Sequence, residues 1–142
     1  MSVDAGLTIR LTAPKGPKSL LDALLTSRWS THGDGCWCVP VGEDASEWRQ
    51  MHGLTQDDLA VLLQAKMDAD EVFGIRLWWE NQDVGGEFLV FSNCEVIFSP
   101  TMNRVTLGRR TTDVSWYLSR LLPVFSEHSD IQLESWNWSE TA

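Results

Sequence analysis

The feature that most constrains the fold is a run of four short segments between positions 73 and 107 that have the character of β-strands. They cover residues 74–80, 87–91, 94–98 and 104–107, and turn-rich pieces at 81–86, 92–93 and 99–103 separate them. Parallel neighbours need a crossover of a dozen or more residues, which these pieces are too short to provide. The sequence therefore predicts an antiparallel meander.

Three further segments have strand character. Residues 7–12 alternate the apolar Leu7, Ile9 and Leu11 with polar side chains, which is the period-two pattern of a half-buried strand. A compact apolar run at 36–41 predicts an edge strand, since Pro40 lacks the N–H that an inner strand donates. Residues 131–138 predict a last strand.

Three other segments have helical spacing. One follows Pro17 and runs to about residue 27, with the proline in the first turn. In the second, Thr55 and Asp58 have the spacing of a capping box. Asp113 predicts the N-cap of the third, which Pro123 is expected to bend or shorten. The apolar stripes comprise Leu20, Leu21, Leu24 and Leu25; Leu59, Leu62, Leu63 and Met67; and Val114, Tyr117, Leu118, Leu121, Leu122 and Phe125.

Together these elements predict an α+β fold. We expect a single domain over residues 1–142, with a mostly antiparallel sheet of five to six strands and about three helices packed on one face. The chain is 43% hydrophobic and 22% charged, so its composition gives no indication of disorder. The connections leave no room for a linker, and the sequence contains no internal repeat.

The net charge of −9 is concentrated in two segments. Residues 34–71 hold nine acids against two bases, and the last 22 residues hold four acids and no base. Binding to a phosphate backbone requires Lys and Arg to displace counterions, so the charge argues against direct contact with nucleic acid. Repulsion within an acidic surface destabilises the fold, which leaves two interpretations: the charge maintains solubility, or it forms a face for a basic partner.

The sequence predicts a cytoplasmic protein that does not associate with a membrane. No stretch approaches the ~20 apolar residues of a membrane span. The first ten residues lack the basic region and the apolar run of a secretory signal. Cys36, Cys38 and Cys94 are too few for a disulfide framework, so we expect free thiols in a reducing compartment.

The strongest candidates for metal chemistry are His32, Cys36, Cys38 and His52, four possible zinc ligands within 21 positions. Structural zinc usually uses ligand pairs two to four residues apart, whereas a single residue separates these cysteines. Packing of the thiols in the core is the favoured interpretation. A glycine-rich phosphate loop in the required form is also missing. The sequence therefore predicts no catalytic residue, metal or cofactor, and no enzymatic activity.

Eight tryptophans exceed what a core of this size normally needs. Trp29, Trp37 and Trp48 are interpreted as core residues. Neighbouring positions in a strand face opposite sides, so Trp78 and Trp79 are expected on different faces and one of them is expected to be exposed.

The last strand is predicted to carry carboxylate and tryptophan side chains on the same face. Alternation places Ile131 and Leu133 on one face, and Glu134, Trp136 and Trp138 on the other. Exposed tryptophan beside carboxylates is typical of interfaces in which aromatic anchors fill pockets and acids steer a basic partner. A platform for carbohydrate is a lesser alternative, because it leaves the charge without a role. The candidate partner-binding residues are Trp78, Trp79, Glu80, Trp116, Glu134, Trp136, Trp138, Glu140, Asp57 and Asp58, of which the two aspartates also suit a helix N-terminus.

The chain resembles the immunity proteins that bacteria make against their own toxins. The resemblance lies in its size, its acidity and two segments, Leu77-Trp78-Trp79-Glu80 and Glu134-Ser135-Trp136-Asn137-Trp138. The resemblance implies an inhibitor that covers the active site of a basic toxin, such as a nuclease, or a surface beside it. The alternatives are a small zinc- or thiol-dependent hydrolase and a chaperone or adaptor for a secreted effector.

Overall fold

The computed structural model describes residues 4–31, 35–80 and 82–141. Its helices are α1 (Pro17–Leu25), α2 (Gln56–Asp68) and α3 (Val114–Ser126). Its strands are β1 (Asp4–Thr12), β2 (Trp29–Ser30), β3 (Cys36–Cys38), β4 (Arg49–Met51), β5 (Phe73–Trp79), β6 (Gly85–Val90), β7 (Glu95–Met102), β8 (Thr106–Leu107), β9 (Thr111–Thr112) and β10 (Gln132–Thr141). The protein is α+β, as the sequence predicts.

Within the described residues, eight strands form one sheet in the order β10-β1-β7-β6-β5-β3-β4, with β2 also beside β5. Every pairing in this sheet is antiparallel. The sheet has more strands than the five to six expected, because β2 and β4 are only two and three residues long. Strands this short contain no readable alternation of apolar and polar residues.

The predicted meander is confirmed for its first three strands, β5, β6 and β7, which pair in sequence order. The prediction for the fourth strand is wrong. β8 leaves the large sheet and pairs with β9 in a hairpin of its own. Asn103 follows β7 with a φ of 48°, which turns the chain away. The guanidinium of Arg104 then donates to the carbonyl of Arg110 at 2.6 Å and to the hydroxyl of Thr112 at 2.7 Å, which holds the hairpin together.

Strand β3 is not an edge strand, contrary to the expectation from Pro40. It pairs with β4 on one side and with β5 on the other. The strand ends at Cys38, so the proline lies outside the hydrogen-bonded ladder and does not limit the number of neighbours.

The two faces of the sheet differ in burial. On the inner face, side chains such as Ile9, Ile75 and Phe88 are fully buried and join the buried side chains of all three helices in one core. On the outer face, the alternating side chains of β5, β6 and β7 are only half-buried. The helices therefore cover the inner face, as expected from the sequence.

The helix starts follow the sequence closely. The hydroxyl of Thr55 accepts from the Asp58 amide at 3.1 Å, and the Asp58 carboxylate accepts from the Thr55 amide at 2.9 Å, which completes the capping box. The Asp113 carboxylate accepts from the Trp116 amide at 3.2 Å and caps α3. This last helix continues past Pro123 to Ser126, so the proline does not end it.

The helices are arranged side by side across the sheet. Helix α1 contacts both α2 and α3, whereas α2 contacts β5 and α3 contacts β10. The acidic segment that contains α2 therefore lies toward the β4 end of the sheet, and the acidic carboxy-terminal strand forms the opposite edge. The two acid-rich segments do not form a common surface.

Candidate protein-binding surfaces

One aromatic surface lies where the start of α3 meets the end of β10. It comprises Trp116, Trp136, Trp138 and Glu140, and we call it the C-terminal patch. The Trp138 ring stacks on the buried Tyr117, with the centroids 5.7 Å apart and an interplanar angle of 29°. Its indole N–H donates to Glu140 at 3.2 Å. Trp138 is therefore fixed on both its face and its edge.

The exposed member of the patch is Trp136, with 46% of its surface accessible. It lies two residues before Trp138 on the same strand, so both indoles extend from one face of β10. Their cross-strand partners, Ile9 and Leu7, belong to the buried face of β1. Trp136 thus lies on the inner face, on the strand that ends the sheet of the described residues.

Trp116 completes the patch from α3. Its ring lies 4.9 Å from Tyr117 and 6.4 Å from Trp79, both edge to face. The guanidinium of Arg120, one turn further along the helix, lies 4.1 Å from the Trp116 ring centroid and 5.5 Å from that of Trp79. These contacts hold the indole in place by cation–π attraction and packing.

Glu140 supplies the negative charge of the patch. Hydrogen bonds from Thr112, first from its side chain and then from its backbone amide at 3.0 Å, hold the pKa of this carboxyl below its usual range. The Trp138 indole adds a further donor. The carboxylate is therefore ionised at neutral pH and fixed beside the indole.

A β-bulge overturns the predicted faces of the last strand. Arg10 pairs with Ser135 but the next residue, Leu11, pairs with Leu133, so Glu134 is the extra residue. Beyond the bulge, Trp136 and Trp138 share the face of Leu133 rather than that of Glu134. The Glu134 carboxylate instead accepts from the Thr12 hydroxyl at 2.7 Å, away from the patch.

The structure separates Trp78 and Trp79, as alternation along β5 predicts. Trp79 faces inward and contacts the buried Trp29, with ring centroids 5.4 Å apart. Trp78 is half-buried on the outer face, where its ring covers Gly85. The expectation that one of the two indoles is exposed is wrong, because both are half-buried. Glu80 follows β5 and pairs with Arg28 at 3.5 Å. Trp79 contacts the C-terminal patch through the ring of Trp116. Trp78 lies on the opposite face of the sheet.

Asp57 and Asp58 lie in the first turn of α2, toward the other end of the sheet. Asp58 forms the capping box, and both are exposed. Val61 extends from the same side of the helix and is 70% exposed. These residues contribute negative charge to the molecule but do not join the tryptophans of β10.

A cluster on the outer face was missed by the sequence analysis, which assigned Trp37 and Trp48 to the core. Both are half-buried, and the guanidinium of Arg76 lies 4.9 Å from the centroid of each ring. Glu87 on β6 pairs with Arg76 at 2.9 Å. A Cβ atom on Gly74 would lie 2.9 Å from the Trp48 ring. Gly74, a glycine inside a strand, is the sequence signal from which a ring packed on the sheet could have been predicted.

The candidate zinc ligands are only partly described. Cys36 and Cys38 lie on one face of β3 with their sulfurs 3.2 Å apart, and both are buried. His32 lies outside the described residues. Among the residues that the structure describes, no group of three or more His, Cys, Asp or Glu side chains is placed to hold a metal ion.

No protein-family model, curated protein or solved structure matches this chain. Within the described ranges, none of the helices has the length and apolar character needed to cross a membrane.

Proposed function

We propose that this chain is an acidic protein-binding inhibitor that acts in the cytoplasm, an immunity protein that neutralises a basic cognate toxin. The observation that carries the proposal is the C-terminal patch. It presents an exposed indole, Trp136, beside a second indole, Trp138, that is stacked on Tyr117 and hydrogen-bonded to an ionised Glu140.

Such a patch has the properties of an interface hot spot. Interface energy concentrates in a few aromatic anchors that enter pockets of the partner. Ordering a free side chain on binding costs free energy, so an indole that is already held in place binds at a smaller entropic cost. Trp138 is held by Tyr117 and Glu140, and Trp116 is held by Arg120. We therefore expect Trp136 and Trp138 to be the central contacts.

The net charge of −9 supports a basic partner. A negative surface accelerates association with a positive one, and this effect weakens as salt is added. Enzymes that act on RNA or DNA are commonly basic because their substrates are polyanions. An acidic inhibitor of such a nuclease competes with the substrate when it covers the active site or an adjacent surface. The carboxylates of α2 contribute to the long-range field from the other end of the sheet.

The edge of the sheet also suits a partner. Strand β10 pairs with β1 along one side, and in the described part of the chain no strand pairs with its other side. Backbone donors and acceptors at such an edge are available to a strand of a second protein. The patch and the edge belong to the same ten-residue strand, so one partner is able to engage both.

The direct test measures binding to the protein encoded by the neighbouring gene, which the proposal predicts to be a basic toxin, purified separately. We expect a 1:1 complex and loss of toxin activity. Trp136→Ala is expected to weaken binding by about 2 kcal/mol, which is about 30-fold. Glu140→Gln should slow association and reduce its dependence on salt.

The matched control is Trp78→Ala, which removes an indole from the outer face. It should leave binding unchanged. If Trp78→Ala weakens the complex and Trp136→Ala does not, the C-terminal patch is not the binding surface. If the purified product of the neighbouring gene does not bind at micromolar concentration, the immunity function itself is contradicted.

A further inference from the structure

We propose that Cys36 and Cys38 form a redox-reversible dithiol site for small-molecule disulfides, in which Cys36 attacks the disulfide and Cys38 resolves the mixed disulfide. This inference is independent of the proposed toxin partner. It rests on the distance between the two sulfurs, on their different access to a neighbouring pocket and on the strand that holds them.

The backbone of β3 brings the two thiols together. Their positions differ by two, so both side chains extend from the inner face, while Trp37 between them extends from the outer face. Pairing of Cys36 with Met51 and of Cys38 with Ile75 fixes the strand from both sides. The resulting separation of 3.2 Å between the sulfurs is a contact distance.

The pocket beside β3 distinguishes the two cysteines. It has a volume of about 310 Å³ and is lined by Cys36 together with Thr31, Met51, Gln56 and Leu59, among others. Cys38 does not line it and is completely buried. A small disulfide in the pocket therefore meets Cys36 first.

The protonation of the pair suits these roles. Either sulfur can donate the hydrogen bond that joins the two thiols. When Cys38 donates, the bond lowers the pKa of Cys36 despite its burial. The same interaction and burial raise the pKa of Cys38. The thiolate, which is the nucleophile in disulfide exchange, is thus favoured at the pocket.

The chemistry requires an oxidant, and a low-molecular-weight disulfide such as oxidised glutathione supplies it. The Cys36 thiolate attacks one sulfur, forms a mixed disulfide and releases the first glutathione as a thiolate. Cys38 then attacks the Cys36 sulfur, and its proton passes to the departing sulfur, so the second glutathione leaves as a thiol. The two cysteines lose two electrons in total, and the glutathione disulfide gains them.

The strand makes the product easy to reduce. Two residues of an extended strand span ~6.6 Å, which is near the upper limit of about 6.8 Å for the Cα separation across a disulfide. This separation lies inside the limit but above the usual value of about 5.5–6 Å, so a bond closed without a bend in β3 is strained. Strained disulfides have more oxidising potentials and are the reversible ones.

The first test uses the unmodified full chain. After treatment with oxidised glutathione, free thiols are blocked and the protein is digested with trypsin. The peptide of residues 29–49 contains Cys36 and Cys38, and the peptide of residues 77–104 contains Cys94. We expect the first peptide to lose two hydrogens and to regain them with dithiothreitol. We expect Cys94, whose pKa is raised by burial, to remain a thiol.

Variants then separate the roles. Cys38→Ser should trap glutathione on Cys36, whereas Cys36→Ser should not trap it on Cys38, and Cys94→Ser should behave as the parent. Cys38→Ala removes the donor that Cys38→Ser keeps, so Cys36 should react more slowly in the alanine variant, by about threefold for each unit of pKa.

Three results would overturn the proposal. One is a parent chain that takes up glutathione on Cys36 and Cys94 at equal rates without internal disulfide formation. Another is a parent chain whose 29–49 peptide remains fully reduced. The third is stoichiometric zinc that is held by these thiols and blocks their oxidation.

Discussion

The ammonium group of Lys66 on α2 is completely buried and lies 3.1 Å from the carboxylate of Glu71. It also donates to the carbonyls of Pro40 and Glu43, each at 2.9 Å. The Glu71 carboxylate in turn accepts from the Gly42 amide at 2.8 Å. One lysine thus connects the loop after β3 to the end of α2.

Replacement of this lysine is expected to destabilise the fold. Lys66→Met removes the cation but leaves two carbonyls and a carboxylate that have lost their donor. Loss of one partner from a buried pair costs about 3–5 kcal/mol, and we expect about 3 kcal/mol because Glu71 retains some contact with water. Urea unfolding measures the difference. Lys18→Met, at an exposed position of α1, should change stability by less than ~0.5 kcal/mol; equal effects of the two variants would contradict the role of Lys66.

The Glu71 carboxyl is expected to give stability that depends on pH. Hydrogen bonds from Gly42 and then Lys66 hold its pKa below the usual range. The unfolded chain, with a carboxyl pKa of about 4.3, therefore binds the proton more readily. The stabilisation is complete above that pH and is lost as pH falls through the lower pKa of the folded state.

Glu71→Gln tests this dependence. It should be less stable than the parent at pH 7, and the gap should close as unfolding is measured at successively lower pH. A gap that stays constant from pH 7 to pH 3 would show that the carboxylate charge is unimportant.

The tryptophans are expected to divide into core and surface residues. Trp29 is fully buried, its ring contacts Phe88 and Phe98, and its N–H donates to the Arg120 carbonyl at 2.9 Å. Trp29→Ala should cost about 3–5 kcal/mol. Trp136→Ala should cost less than about 1 kcal/mol, because the side chain already contacts water. Urea unfolding by circular dichroism compares them, and a large loss for Trp136→Ala would assign that residue to the core.

Gly86 is expected to tolerate no side chain. A Cβ atom there would collide with the carbonyl of Ser99 and with the ring of Phe98. Gly86→Ala should therefore destabilise the protein by about 1–3 kcal/mol through overpacking. At Gly6 a Cβ atom would be in ordinary contact, 3.4 Å from the Phe98 carbonyl, so Gly6→Ala is the control and should be nearly neutral. Thermal unfolding midpoints that fall equally in both variants would argue against a specific collision.

Prediction from sequence succeeded where a signal is local. The Thr55–Asp58 capping box, the start of α3 at Asp113 and the meander strands depend on residues within a few positions of one another. Prediction was wrong where the deciding contact is distant. The pairing with β1 overturns the predicted faces of Trp136 and Trp138. The burial of Lys66 has no local signal either, because its acceptors come from a loop more than twenty residues earlier.

Composition determines that the chain is acidic and rich in tryptophan, and local residue patterns predict its three helices and its mostly antiparallel sheet. Only the tertiary structure decided which tryptophans face solvent and which acids they accompany. A single bulged residue, Glu134, reverses the faces of β10 and brings Trp136 and Trp138 to the side of α3. Because side chains alternate with a period of two, one extra residue moves every later side chain to the other face, and pairing with β1 selects that register.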